Sequence, residues 1–175
     1  MNILWMVTGG GYLLEESCRA LESLSKRHTV TVAFSRAGRE VALMYNLFGR
    51  FKRAAKKVVC ENDEGYSSPL VGRLGLYDLV VLSPCTANTV AKIVLGVADS
   101  LASNVCSQAL KSGRMVAIVP TDSMREVDAV IPSGRKIRIS CRDVDIRNAR
   151  KLKAERDIKV LKSPSDISRL LKDVD

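Results

Sequence analysis

Four apolar runs, each ending in a turn rich in glycine or hydroxyl residues, constrain this chain more than any other feature. They are NILWMVTGG (2–10), HTVTVAFS (28–35), YDLVVLSPC (77–85) and RMVAIVPTDS (114–123). Three of them are near-continuous hydrophobic stretches with no polar alternation, which is the pattern of a strand covered on both faces. HTVTVAF adds β-branched residues, which suit a pleated surface. A shorter run, DIKVLKS (157–163), reads as a late strand.

Between these runs the apolar spacing becomes helical. Leu13, Leu14, Cys18, Leu21 and Leu24 line one face of YLLEESCRALESLSKR. GREVALMYNLFGRFKRAAKK (38–57) reads as helix with an interruption around Gly49, and NTVAKIVLGVADSLASNVCSQALKS (88–112) as helix broken near Gly96 to Asp99. SPSDISRLLKDV (163–174) closes the chain as a helix capped by Ser163 or Ser165. Alternating strands and helices predict an α/β fold: a doubly wound parallel sheet of the flavodoxin-like or Rossmann kind, in three layers, α/β/α. At 175 residues and 46% hydrophobic content the chain reads as one domain over 1–175, with about 130–175 a basic extension packed on it.

Nothing reaches 18 uninterrupted apolar residues, so a membrane span is not expected. The N-terminus has no basic stretch ahead of its apolar run, and reads as a strand rather than an export signal. The five cysteines, at 18, 60, 85, 106 and 141, form no CxxC pair; they read as reduced thiols of a cytoplasmic protein and not as a metal site.

In doubly wound sheets ligands bind beyond the carboxyl ends of the strands, where the strand order reverses. The residues just past each strand are therefore the informative ones. They are Thr8, Gly9, Gly10, Gly11 and Tyr12; Ser35 and Arg36; Ser83, Pro84, Cys85, Thr86, Ala87, Asn88 and Thr89; and Pro120, Thr121, Asp122 and Ser123. Glycines opening a helix let backbone N–H groups approach an anion at the positive helix end, although TGGGY also suits a plain tight turn. The glycines are consecutive, so this is not the GxGxxG dinucleotide fingerprint. Ser35 and Arg36 complete a phosphate cup, or Ser35 caps the next helix. The same two readings, ligand contact and helix cap, stand for Asp122 and Ser123.

The net charge of +9 comes from 28 Lys and Arg against 19 Asp and Glu, concentrated in GRFKRAAKK (49–57) and the last third. It reads as a solvated basic face or as steering of an anionic molecule or an acidic protein. Aromatic residues make up only 5% of the chain, which leaves nucleic acid without stacking platforms.

SPCTANTVAKIVLGVADSL (83–101) resembles the PASANT-type motif and following helix of the homo-oligomeric flavin-containing decarboxylase superfamily, with TGGGY standing at that family's flavin-phosphate loop. The likeness spans about residues 1–125. It implies a flavodoxin-like fold, bound FMN and a trimer-based homo-oligomer. Carried onto this chain, Gly9, Gly10, Gly11 and Ser35 would meet the phosphate and ribityl tail. Ser83, Thr86, Ala87, Asn88 and Thr89 would line the flavin, with Thr8, Pro120, Thr121 and Asp122 completing the cofactor set. Cys85 would lie near it, as a small buried side chain or a redox thiol.

The decarboxylases place a catalytic histidine before this motif, and EGYSSPLVGRLGLYD (64–78) has none. The lone histidine, His28, starts the second strand at the end away from the rim. PTDSMREVD replaces their substrate clamp. The C-terminal third, AVIPSGRKIRISCRDVDIRNARKLKAERDIKVLKSPSDI, is instead similar to archaeal flavoproteins related to dihydromethanopterin reductase and archaeoflavoprotein. That similarity implies an FMN-dependent oxidoreductase or electron carrier, with no catalytic side chain of its own. It would accept electrons from an acidic, reduced ferredoxin-like donor and pass them to a small-molecule acceptor, a dihydropterin being one candidate. A lyase or prenyltransferase-type activity on the same scaffold is the alternative. Arg50, Lys52, Arg53, Lys56, Lys57, Arg135, Lys136 and Arg138 are the candidate donor-docking residues.

Overall fold

A computed structural model describes residues 1–172; the last residues of the expected closing helix lie outside this range. Six strands form one parallel sheet: β1 (Asn2–Val7), β2 (Thr29–Phe34), β3 (Lys57–Cys60), β4 (Leu79–Cys85), β5 (Met115–Pro120) and, after a separate hairpin, β8 (Ile158–Val160). Their order is β3-β2-β1-β4-β5-β8, so the winding of the chain reverses between β1 and β4 while the strands stay parallel. This is the doubly wound α/β arrangement that the alternating runs predict.

The central strands bury side chains on both faces, as their unbroken apolar character requires. Ile3, Trp5 and Val7 pack with α1 (Leu14–Leu24), α2 (Arg36–Met44), α3 (Phe48–Ala54) and α8 (Asp166–Lys172). Leu4 and Met6 point the other way, toward α5 (Ala87–Val94), α6 (Leu101–Lys111), α7 (Asp143–Lys151) and a 3-10 turn over Val71–Leu76. A short helix, α4 (Glu61–Glu64), follows β3 directly. Each fully buried Leu, Ile or Phe contributes roughly 1.5–3 kcal/mol, so these two layers carry most of the fold's stability.

Three local expectations are corrected. The second helical stretch breaks at Tyr45–Leu47, ahead of Gly49. Asn46 takes a left-handed φ of 57°, its N–H donates to Leu43 O, and Leu47 N donates to Ala42 O, which closes α2. The stretch also stops before its terminal lysines: Lys56 N pairs with Val30 O and Lys57 opens β3, an edge strand. After β5 no helix begins. The chain makes an exposed antiparallel hairpin, β6 (Glu126–Val130) with β7 (Lys136–Ser140), turned at Gly134 with φ 82°.

Candidate functional site

Every helix of a parallel sheet with crossover connections starts at the carboxyl edge of the strands, so the helix N-termini collect there. Three of them open on one cleft of about 390 Å³, and Ser35, Thr86 and Ser100 are their caps. Thr8, Gly9, Arg36, Ala37, Asn88, Thr89 and Lys92 line the rest of it, together with Glu61. The aligned dipoles of three helix ends give this cleft a positive potential suited to an anion.

Thr8 ties the two central turns together. Its N–H and its hydroxyl both donate to Pro84 O, at 3.2 and 2.9 Å, and Thr86 N donates back to Thr8 Oγ1 at 2.9 Å. Thr8 is buried, so the circuit is shielded from water. The glycines after it are there because the neighbouring turns leave no room. A methyl on Gly9 would stand 2.7 Å from Ala37 Cβ, and one on Gly10 2.9 Å from Thr121 Cγ2. One on Gly11 would run into the Tyr45 hydroxyl at 2.3 Å.

The expected hydroxyls divide by what they already hold. Ser35 Oγ accepts from Gly38 N at 3.0 Å and so caps α2, yet its own O–H remains free to donate into the cleft. Thr86 holds the cap position of α5 without a side-chain cap bond; its hydroxyl meets only Thr89, at 3.3 Å. Ser83 stands apart. It is fully buried, its hydroxyl shares a bond with Ser17 at 2.8 Å, and its carbonyl accepts from Trp5 Nε1 at 2.7 Å. It braces the turn from beneath and does not line the cleft.

Ala87 and Asn88 open α5, half-buried and exposed respectively. Pro120 ends β5. Thr121 N donates to Cys85 O at 2.9 Å, which puts its methyl against Gly10. Asp122 accepts from the Thr121 hydroxyl and, with no helix following, caps nothing.

Four residues of the cleft escaped the sequence reading: Ala37, Glu61, Lys92 and Ser100. Glu61 bonds Arg36 N and Leu101 N, at 2.8 and 2.7 Å. Ser100 forms a reciprocal capping box with Ser103. The N-cap pattern at Ser100 was available as a signal; nothing local marks Glu61.

Cys85 is fully buried, and burial pushes its thiol well above the ordinary range, which favours the small buried side chain of the two readings. The same cause lifts Cys18 and Cys106 to about 12, and Cys141 to about 11 with Asp122 beside it. All five cysteines are free. His28 lies at the opposite edge of the sheet, as expected. Among the docking candidates, Arg50 is bound to Glu15 and Glu22 at 2.9 and 2.7 Å, and Arg138 to Asp128 at 3.0 Å. Both are therefore neutralised within the chain. Lys52, Arg53, Lys56, Lys57, Arg135 and Lys136 are exposed and have no acidic partner within 4 Å among the described residues. No helix of the described residues is long and apolar enough to cross a membrane, and no group of three or more His, Cys, Asp or Glu there forms a metal site.

The family model described as Flavoprotein matches residues 1–173. The chain is similar to the dihydromethanopterin reductase (acceptor) of Methanocaldococcus jannaschii, at 43% identity over 70% of this chain and 54% of that protein. It is 36% identical to the corresponding enzyme of Methanosarcina mazei over 75% of this chain and 59% of that one. The chain thus spans little more than half the length of these relatives. Among solved structures it is similar to Burkholderia xenovorans DmrB in complex with FMN, described as a cubic protein cage for redox transfer. The TM-score is 0.84 at 26% identity, covering 99% of this chain and 94% of that one.

Proposed function

The chain belongs to the Flavoprotein family, and from that premise we propose that it binds FMN at the carboxyl edge of its sheet and works as an oxidoreductase in electron transfer. It takes electrons from an acidic, ferredoxin-like donor and hands them to a small-molecule acceptor, for which a dihydropterin is our candidate. The observation that carries this reading is the convergence of three helix N-termini and a glycine turn on one cleft beside the β1/β4 reversal. The residues fit the cofactor: Gly9 lines the cleft where a Cβ would stand 2.7 Å from Ala37 Cβ, and the Ser35 hydroxyl retains a donor.

When bound, FMN supplies the electron chemistry. The chain's own part is to hold and orient. Gly9, Gly10, Gly11 and Ser35 take the phosphate end, and the α2 and α5 N-termini balance its charge. Thr86, Ala87, Asn88 and Thr89 line the ring side, with Pro120, Thr121 and Asp122 as the facing wall. Thr8 and Ser83 keep those turns in place. The net charge of +9 draws an acidic donor, through the exposed lysines and arginines that no carboxylate of the described residues has claimed.

The similarity to the reductases supports the pterin acceptor, and the cage-forming neighbour supports a homo-oligomer, which we take to be trimer-based. Five free thiols suit a cytoplasmic setting. The test is an absorption spectrum of the purified protein followed by anaerobic titration with reduced ferredoxin. Flavin bands bleached by ferredoxin are expected. A bound flavin that stays oxidised points to group-transfer chemistry, and a protein that takes up no FMN removes the cofactor assignment.

A further inference from the structure

Among the described residues Glu61 is the only acidic side chain lining the cleft, and it sits where an acid is least expected in a site built for an anion. Its carboxylate is fixed at both oxygens: Oε2 accepts from Arg36 N at 2.8 Å and Oε1 from Leu101 N at 2.7 Å. Arg36 and Leu101 are the first residues of α2 and α6, so one carboxylate spans two helix N-termini. It thereby occupies an anion position of the kind that phosphates take at helix ends. Its place along the cleft follows from the strand order. Glu61 follows β3, which lies one strand outside β2, whereas Thr8 and Thr86 stand at the β1/β4 reversal. Ser35, after β2, lies between them. A ligand laid from the reversal outward therefore reaches Ser35 with its first phosphate and Glu61 beyond it. Neither cation lining the cleft pairs with it: Lys92 is bound to Asp99 at 2.7 Å, and the Arg36 guanidinium makes no ion pair with Glu61 within 4 Å.

Resting on the FMN reading above, we propose that Glu61 is a built-in anion that limits this cleft to a single phosphate monoester. The carboxylate already fills the position between α2 and α6. A ligand with a pyrophosphate, such as FAD, brings its second phosphate to a fixed negative charge and to amide donors that are already taken. Selectivity of this type comes from rejecting the larger ligand, and leaves the contacts to the first phosphate unchanged.

The test is the ratio of the FAD and FMN dissociation constants, measured by flavin fluorescence on the apo-protein of wild type and of Glu61→Gln, with circular dichroism confirming the fold. Glutamine keeps the size and one acceptor oxygen, and removes the charge. If the carboxylate only held α2 and α6 together, both flavins would weaken alike and the ratio would not move. We expect wild type to prefer FMN by about 100-fold, and the variant to lose about tenfold or more of that preference. An unchanged ratio in a folded variant overturns the proposal, and so does a wild type that binds FAD as tightly as FMN, whether or not the variant folds. A wild type that takes up no flavin at all removes the cofactor reading, and this inference with it.

Discussion

Two clefts of nearly equal volume lie at opposite edges of the same sheet, about 390 Å³ at the carboxyl edge and 400 Å³ at the amino edge. Both carry basic residues, yet they are made differently. Lys26, Arg27 and His28 at the amino edge follow the C-terminus of α1, where a helix presents carbonyl groups and attracts positive charge. The backbone N–H groups of Arg27 and His28 close that helix end, both donating to Leu24 O at 3.0 Å. At the carboxyl edge three helices present N–H groups, and the turns between them are stitched and free of side-chain bulk. Volume does not distinguish the two clefts; the direction of the chain does.

That contrast is open to direct attack. The largest effect is expected at Gly38, where a methyl would stand 2.2 Å from Val7 O, a backbone atom that cannot step aside. Gly38→Ala should cost about 3 kcal/mol and lower the melting temperature by roughly 6–12 °C. Gly75→Ala, with nothing within 4 Å of its methyl, should stay within about 0.5 kcal/mol. Calorimetry of the pair checks this.

In flavin titrations, Gly10→Val should weaken FMN by about 100-fold, roughly 3 kcal/mol, because the side chain enters the gap before Thr121 and Thr86. His28→Ala, at the other edge, should leave the affinity where it was. Equal losses in both would erase the distinction between the edges.

Thr8→Val removes a buried donor and a buried acceptor at once, and should cost about 1–3 kcal/mol in urea unfolding. At the amino edge, Asp78 accepts from Asn2 N at 2.7 Å in an exposed place, and Asp78→Ala should cost about 0.5 kcal/mol or less.

The smallest effect is acidic. Hydrogen bonds from the Arg50 guanidinium hold Glu15 and Glu22 below the usual carboxylate range near 4.5. Their folded values are depressed, so their contribution is present above pH 4.5 and lost as pH falls through the lower folded values. Arg50→Met should flatten that acid limb by less than about 1 kcal/mol, since the acids are exposed. An unchanged slope below pH 4.5 would show that the triad contributes nothing.

The central strands were legible because burial on both faces leaves a continuous apolar run, and the rim was legible because each run ends in residues of turn chemistry. β3 was not, since a four-residue edge strand beginning with Lys57 continues the basic run before it. In the β6–β7 hairpin β6 alternates, with Val127 and Ala129 inward, but seven of the ten strand residues are exposed and the signal is short. The rim hydroxyls look alike in sequence. Only the fold separates Ser83, spent on Ser17, from Thr86, whose hydroxyl meets only Thr89. Glu61 was invisible because its second partner, Leu101, lies 40 residues away.

The closed circuit of Thr8, Pro84 and Thr86 also has a kinetic side. The Thr86 amide sits in a turn, where hydrogen exchange with water is ordinarily fast, but it is held by a buried oxygen and should exchange only with wider opening of the sheet. Turns that are ordered before a ligand arrives have little freedom left to surrender. Association at this edge should then be set by the rate of encounter, and dissociation by the contacts alone.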